Sequence, residues 1–154
     1  GTARVHAFPI AALLGGSGRI GNQTRVAHPG WSRSSCGAIE LDASTAPTLR
    51  WVLRLGKVAT DVQSIAFAIG SMGDGPLATA VRMELRCDGL AIARTEFSAE
   101  MLAPYGATIL LHIYRHQNGW KARADGTGFC ATEHDNGFIP LLQHLGVNPM
   151  SLST

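Results

Sequence analysis

Charge is the scarcest feature of this sequence of 154 residues, since charged residues make up 16% of it, whereas a globular domain usually has about 25%. Lysine occurs only at Lys57 and Lys121, no run of like charges is present, and the net charge is +2 with histidine neutral. Such a small charge does not attract nucleic acid or an anionic membrane surface. We therefore expect no nucleic-acid partner.

Cysteine is also sparse, and its spacing excludes a disulfide framework and a C-x-x-C redox motif. The three residues Cys36, Cys87 and Cys130 are an odd number and lie far apart. Reduced and mostly buried thiols in a cytoplasmic protein are typical of this pattern. No apolar run approaches the roughly 20 residues that cross a bilayer, so we expect no membrane insertion.

The sequence is rich in period-two alternation of apolar and polar residues. Residues 81–88 read VRMELRCD, with apolar side chains at odd positions and charges mostly at even positions, as a half-buried strand requires. Three more inward-facing rows follow the same rule, and they comprise Leu49, Trp51, Leu53 and Leu55; Ile65, Phe67 and Ile69; and Ala107, Ile109, Leu111 and Ile113. These rows predict strands that place one face in a core.

Turn residues separate the alternating runs. Asp88-Gly89 and Asn118-Gly119 each lie between two such runs. Both pairs predict β-hairpins, because the central positions of the commonest two-residue turn need a positive φ. Hairpins in the second half of the chain favour antiparallel pairing there.

Helix is favoured only over residues 137–145, where apolar side chains recur at helical spacing and Gly146 follows as a stop. With about nine short strands, the pattern is typical of an all-β fold. We predict a two-sheet antiparallel β-sandwich with a short C-terminal helix. No linker or repeat divides the chain, so we expect a single domain over residues 1–154.

A glycine motif near the start of the chain resembles a nucleotide-binding signature. Residues 16–21 read GSGRIG, a literal G-x-G-x-x-G after an apolar run. Dinucleotide binding requires a helix directly after the glycines, whose N-terminus meets the pyrophosphate. The next residues are instead typical of a strand and are interrupted by Pro29. We therefore interpret the motif as a glycine-rich hairpin turn.

Two histidines lie at alternate positions of the strand predicted over residues 107–116. His112, Tyr114 and His116 share one face of that strand, and two imidazoles can begin a zinc or copper site. The third ligand would come from residues 130–135. The simpler interpretation is a polar outer face, and a metal-dependent enzyme using His112 and His116 is the alternative.

Two segments resemble the TerD-type tellurium-resistance and stress-protein family. Residues 55–69, LGKVATDVQSIAFAI, resemble its strand–linker–strand segment, and residues 113–124, IYRHQNGWKARA, resemble its most specific hairpin. The hairpin positions that match are Tyr114, Arg115, His116, Trp120 and Lys121. Residues 126–129 and the helix that ends near Gly146 also resemble the family.

The resemblance implies a β-sandwich whose acidic loops bind calcium, a role in tellurite resistance and stress responses, and no characteristic enzymatic activity. This sequence departs from the family at the acidic positions. Residues 5–14 carry no carboxylate, only Glu40 and Asp42 remain before the Trp51 strand, and only Asp74 remains in the later acidic stretch. Calcium needs six to eight oxygen ligands, so these three residues are weak candidates and we commit to no metal site or other cofactor.

We therefore expect a non-enzymatic, bacterial, cytoplasmic domain of the stress-response type, with calcium binding degraded or absent. It would act by binding protein partners, and self-association is a further expectation because low surface charge favours association. Besides the metal-dependent enzyme, a second alternative is a structural subunit of a larger assembly.

Overall fold

The computed structural model describes most of the chain, with short gaps. All structural statements below concern residues 7–21, 23, 25–29, 31–42, 48–71, 80–87, 89–102, 105–130 and 137–148. The strands are β1 (Ala7–Leu14), β2 (Val26–Ala27), β3 (Ile39–Asp42), β4 (Leu49–Leu53), β5 (Ser64–Ser71), β6 (Val81–Cys87), β7 (Leu90–Phe97), β8 (Ala107–His116), β9 (Gly119–Ala124) and β10 (Gly128–Phe129). The helices are a 3₁₀ turn (Leu55–Lys57), α1 (Ala99–Leu102) and α2 (Phe138–Leu145).

The strands form two sheets, which confirms the all-β sandwich with a short C-terminal helix. The large sheet has the order β10-β8-β5-β1-β2, with β9 also paired to β8, and the small sheet has the order β3-β4-β6-β7. Every pairing is antiparallel except that of β4 with β6, which is parallel. The small sheet is therefore mixed rather than purely antiparallel, because β5 of the large sheet intervenes in the chain between β4 and β6.

The middle strands of the large sheet, β1, β5 and β8, are covered on both faces. One face packs against the small sheet, where the rings of Trp51 and Phe67 lie 5.7 Å apart in the core. The other face packs against α2, and here β5 presents the small residues Ala66 and Ala68. Their short side chains let the helix lie close to the sheet.

A bulge in β8 divides the row that we predicted as one inward face. Phe67 pairs with Leu111 while the next residue, Ala68, pairs with Ile109, so Leu110 is an extra residue in the ladder. An extra residue reverses the alternation. As a result Ile109 faces α2, whereas Leu110 and Leu111 both face the small sheet.

Both predicted hairpins are present, and one has a shifted turn. Cys87 pairs with Leu90, which confirms the first hairpin, although Asp88 itself lies outside the described residues. In the second hairpin His116 pairs with Gly119, so Gln117 and Asn118 form the turn. Gln117 adopts the left-handed conformation there, with φ 54, and the turn lies one residue earlier than the Asn-Gly pattern predicted.

The cysteines are free, as predicted, but they are not mostly buried. Cys36 and Cys130 are exposed and Cys87 is half-buried. Cys36 lies in the turn before β3 and Cys130 directly follows the edge strand β10, so both are outside the core. In the described part of the chain, no helix has the length and apolar character needed to span a membrane.

Candidate functional site

The carboxylates considered as calcium ligands are paired with arginines. Glu40 and Asp42 lie on β3, where Glu40 Oε1 accepts a hydrogen bond of 3.0 Å from Arg54 Nη2. Asp42 Oδ2 lies 3.8 Å from Arg50 Nη1; Arg50 lies on β4 and Arg54 directly follows that strand. Asp74 lies outside the described residues. Among the residues that the structure describes, no group of three or more His, Cys, Asp or Glu side chains is placed to hold a metal ion.

The outer face of the small sheet continues this arginine–carboxylate pairing. Glu84 on β6 lies 3.0 Å from Arg50, 3.1 Å from Arg86 and 3.1 Å from Arg94. Burial opposes the charge of Glu84, but the hydrogen bonds and charges of these arginines outweigh it and lower its pKa. This carboxylate is therefore ionised and its oxygens are already engaged.

The hairpin that resembles the TerD-type family has a structural role. The guanidinium of Arg115 donates from Nε to the Val62 carbonyl at 2.7 Å and from Nη2 to the Ala59 carbonyl at 3.0 Å. Its Cζ also lies 4.4 Å from the centre of the Trp120 ring. These contacts fasten the hairpin to the loop before β5. Of the other motif side chains, Tyr114 is half-buried, and His116 and Lys121 are exposed.

His112 forms the core of a second polar site, on the other side of the large sheet. It lies on β8 directly opposite Arg123 of β9, and cross-strand partners project from the same face. His112 Nε2 lies 2.8 Å from Asp125 Oδ2, and the two side chains are only 14% and 17% exposed. The imidazole is thus held by a carboxylate in a partly dry environment.

Asp125 is itself fixed by the turn that follows β9. Its Oδ1 accepts hydrogen bonds from the amides of Gly126 and Thr127, at 2.7 and 2.8 Å, and from the Thr127 hydroxyl at 2.7 Å. Its own amide donates to the carbonyl of Leu110, the bulge residue, at 3.0 Å. The amides of the following turn therefore orient the carboxylate, and the bond to Leu110 fixes the backbone of Asp125 against β8.

The charge states of this pair follow from its surroundings. Burial lowers the pKa of His112; the carboxylate of Asp125 opposes this, but Arg123 and His144 add to it, and the net shift is downward. Burial would raise the pKa of Asp125, but its hydrogen bonds from Thr127 and Gly126 prevail and lower it. At neutral pH the carboxylate is therefore charged and the imidazole neutral, with its proton on Nε2 and an open lone pair on Nδ1.

His112 of this pair lines a cavity of about 440 Å³ between the large sheet and α2, and Asp125 does not. The strands supply Ser64, His112, Tyr114 and Arg123, and the last turn of the helix supplies His144. No described residue that lines the cavity is acidic. The surface therefore carries positive charge together with hydroxyl and imidazole groups.

The glycine-rich loop forms the remaining wall of this cavity. The Gly18 amide donates to the Gly15 carbonyl at 3.0 Å, and the Gly15 amide donates to the Arg19 carbonyl at 2.9 Å. The loop is therefore a tight turn, and the described residues between it and β2 contain no helix. This arrangement is consistent with the turn interpretation and lacks the helix that a dinucleotide motif requires.

Gln23 connects this loop to the end of α2. Its Nε2 donates to the Gly146 carbonyl at 2.9 Å, and its Oε1 accepts from the Asn148 amide at 2.7 Å. The Ile20 amide also donates to the Leu145 carbonyl at 2.9 Å. The loop and the helix end therefore form one continuous wall.

The structure separates the two histidines proposed as metal ligands. Four residues along a strand span about 13 Å, so His112 and His116 do not share an ion by themselves. Cys130 is exposed beyond β10, and the other proposed third ligands, at positions 133–135, lie outside the described residues. The metal-enzyme hypothesis therefore stays a prediction without a ligand set.

Several residues in and around the His112 site were absent from the sequence-based candidates. Asp125, Arg123 and His144 come from three different elements, and alternation along one strand does not reveal them. The Asp-Gly-Thr run at residues 125–127 is one usable signal, since an aspartate commonly accepts hydrogen bonds from the two amides that follow it.

Comparison with known proteins identifies a shared architecture and no family. Neither a protein-family model nor a curated protein matches this chain. Among solved structures, the chain is similar to the crystal structure of a protein of unknown function, SAV2460, with 17% identity over 88% of this chain and 83% of that one. The TM-score is 0.57. At this identity the likeness establishes the fold alone.

Proposed function

We propose that this chain is a non-enzymatic binding domain of the TerD-like, stress-response type, which acts in the cytoplasm and in which calcium binding is degraded or absent. The observation that carries the proposal is the pairing of Glu40 with Arg54 and of Asp42 with Arg50. A calcium ion needs several carboxylate oxygens with uncompensated negative charge. Each remaining candidate that the structure describes instead faces a guanidinium group.

The edge of the small sheet supports binding of protein partners. β7 is the last strand of that sheet, and among the described strands it pairs only with β6. Leu90 and Ile92 on this strand are 69% and 49% exposed. An unpaired edge with apolar side chains readily accepts another polypeptide strand.

The calcium part of the proposal is tested by thermal unfolding of chelator-treated protein with and without calcium chloride. We expect the same Tm in both conditions. An ion present at about 100 times its Kd would add roughly 2.7 kcal/mol of stability and raise Tm by several degrees in a chain of this size. Such a rise would contradict the proposal.

The double variant Arg50→Gln, Arg54→Gln provides the matched comparison. It removes the cations that compensate Glu40 and Asp42, so any residual calcium affinity should increase in this variant. A calcium-dependent Tm in the double variant but not in the unmodified protein would attribute the loss of binding to these arginines. Self-association through this edge is measured separately, by light scattering of the unmodified protein and of an Ile92→Lys variant.

A further inference from the structure

We propose that the cavity between α2 and the large sheet binds a small organic anion that also carries a hydroxyl group. The site is formed by Arg123, His112 and His144 together with the glycine-rich loop. It lies on the opposite side of the large sheet from Glu40 and Asp42. The inference therefore goes beyond the proposed function and does not depend on the calcium question.

Arg123 provides the charge that would attract an anion. Its guanidinium lies 5.7 Å from the ring centre of Tyr114, and no carboxylate within the described part of the chain is paired with it. Six other arginines do have carboxylate partners, namely Arg25, Arg50, Arg54, Arg82, Arg86 and Arg94. Arg123 is thus a positioned cation beside a cavity with no acidic described residue in its lining.

His112 provides the second recognition element, a hydrogen-bond acceptor. Its Nε2 proton is directed to Asp125 Oδ2, which leaves Nδ1 without a proton. As a residue that lines the cavity, His112 can accept a hydrogen bond at this atom from an O–H or N–H donor. Sulfate carries no such donor at neutral pH, whereas a hydroxylated anion does. This argument adds the hydroxyl group to the expected ligand.

The remaining walls leave room for such a molecule. Gly15, Gly16 and Gly18 place no side chain in the cavity, and a Cβ at Gly16 would meet nothing within 4 Å. His144 adds an imidazole from the last turn of α2. A volume of about 440 Å³ lies within the range of roughly 300–1,000 Å³ that is usual for small-molecule sites.

Another cavity lacks these features. It has a volume of about 320 Å³ on the outer face of the small sheet, where Arg82 and Arg94 are accompanied by Glu84 and Glu96. The two carboxylates lie within ion-pair distance of those arginines. Its charges therefore compensate one another, and it offers no free cation to an anionic ligand.

The test is an NMR and calorimetric titration of the full chain with two hydroxylated anions, ribose 5-phosphate and gluconate. Neutral ribose and sulfate are the comparison ligands. We expect at least one of the two hydroxylated anions to bind, with shifts at the Gly16 amide and the His112 ring. Which of them binds more tightly distinguishes a phosphate from a carboxylate ligand. We expect ribose not to bind and sulfate to bind more weakly.

Variants assign the binding to named residues. Arg123→Gln should weaken binding about tenfold or more, because a hydrogen bond to a charged group is lost. His112→Gln should reduce the preference for the hydroxylated anion over sulfate. Lys121→Gln is the matched control, since Lys121 lies two residues away on the same strand and does not line the cavity. NMR spectra of each variant verify that it is folded.

Three results would overturn the inference. The first is the absence of shifts with both anions at about 10 mM, which excludes even millimolar affinity. The second is an equal weakening of ligand binding by Arg123→Gln and Lys121→Gln. That result would mean that binding depends on the overall charge of the protein and not on the position of Arg123. The third is binding of ribose or sulfate as tight as that of the hydroxylated anions.

Discussion

The imidazole of His112 and the carboxylate of Asp125 are joined at 2.8 Å, although the first lies within β8 and the second beyond the end of β9. The carboxylate also accepts hydrogen bonds from the amides of Gly126 and Thr127 and from the Thr127 hydroxyl. One side chain therefore ends β9, orders the following turn and orients the histidine.

Replacing Asp125 with alanine removes all of these hydrogen bonds. We expect the free energy of unfolding to fall by about 2–3 kcal/mol, because hydrogen bonds to a charged group are among the stronger ones and His112 loses its acceptor. Urea unfolding followed by tryptophan fluorescence measures the loss. Asp61→Ala is the comparison variant, since Asp61 is 68% exposed in its ion pair with Arg25 and exposed pairs contribute little. Equal losses in the two variants would contradict this role of Asp125.

Stability should fall as the pH is lowered through the range where histidine titrates. Burial lowers the pKa of both His28 and His112 in the folded protein, below the ordinary value of 6.5. As the pH falls below that value, the unfolded chain binds protons that the folded chain does not, so folding loses free energy. The contribution of both histidines to the free energy of unfolding is fully present near neutral pH. It is lost as the pH falls towards their pKa in the folded protein.

Unfolding in urea at about pH 7.5 and about pH 5.5 measures this linkage. His112→Gln should reduce the difference between the two pH values without abolishing it, because His28 remains. The exposed residue His116 is the control, and His116→Gln should keep the full difference. A His112→Gln protein with an unchanged pH dependence would show that the imidazole does not titrate as described.

The close approach of β5 to α2 requires glycine at position 70. A Cβ built on Gly70 would lie 2.6 Å from the ring of Phe138, the first residue of the helix. Gly70→Ala should therefore displace the helix and destabilise the protein by about 1–3 kcal/mol, as overpacking does in other cores. Gly56→Ala is the control, because that position is exposed and nothing lies within 4 Å of its Cβ. Similar stability of the two variants would mean that the helix adjusts without cost.

The alternating rows predicted most of the strands because each row has one dominant buried face. Trp51, Leu53, Ile65 and Phe67 are buried as their spacing requires. The bulge at Leu110 was not predictable in this way, since Leu110 and Leu111 are both apolar and the sequence pattern does not mark the extra residue. The sequence pattern also did not predict the parallel pairing of β4 with β6. Alternation within one strand does not show which strands become neighbours in the folded sheet.

The candidate site was predictable only in part. His112 was identified as a polar residue on a strand face, but its partner could not be found along that strand. Asp125 lies beside His112 because β9 pairs antiparallel with β8, in the register that places Ala124 opposite Leu111. Arg123 is brought to the same place by that register, and His144 by the packing of α2 on the sheet. Contacts between distant parts of the chain therefore determine which side chains surround His112.

The parallel alignment of β4 and β6 has a consequence for how the molecule assembles. Between these two neighbours the chain leaves one layer, contributes β5 to the middle of the other layer and returns. Neither layer is therefore built from a continuous stretch of polypeptide, so neither can form a foldon by itself. Amide protons of β4 and β5 should exchange through the same global opening, and denaturation should proceed as a single transition.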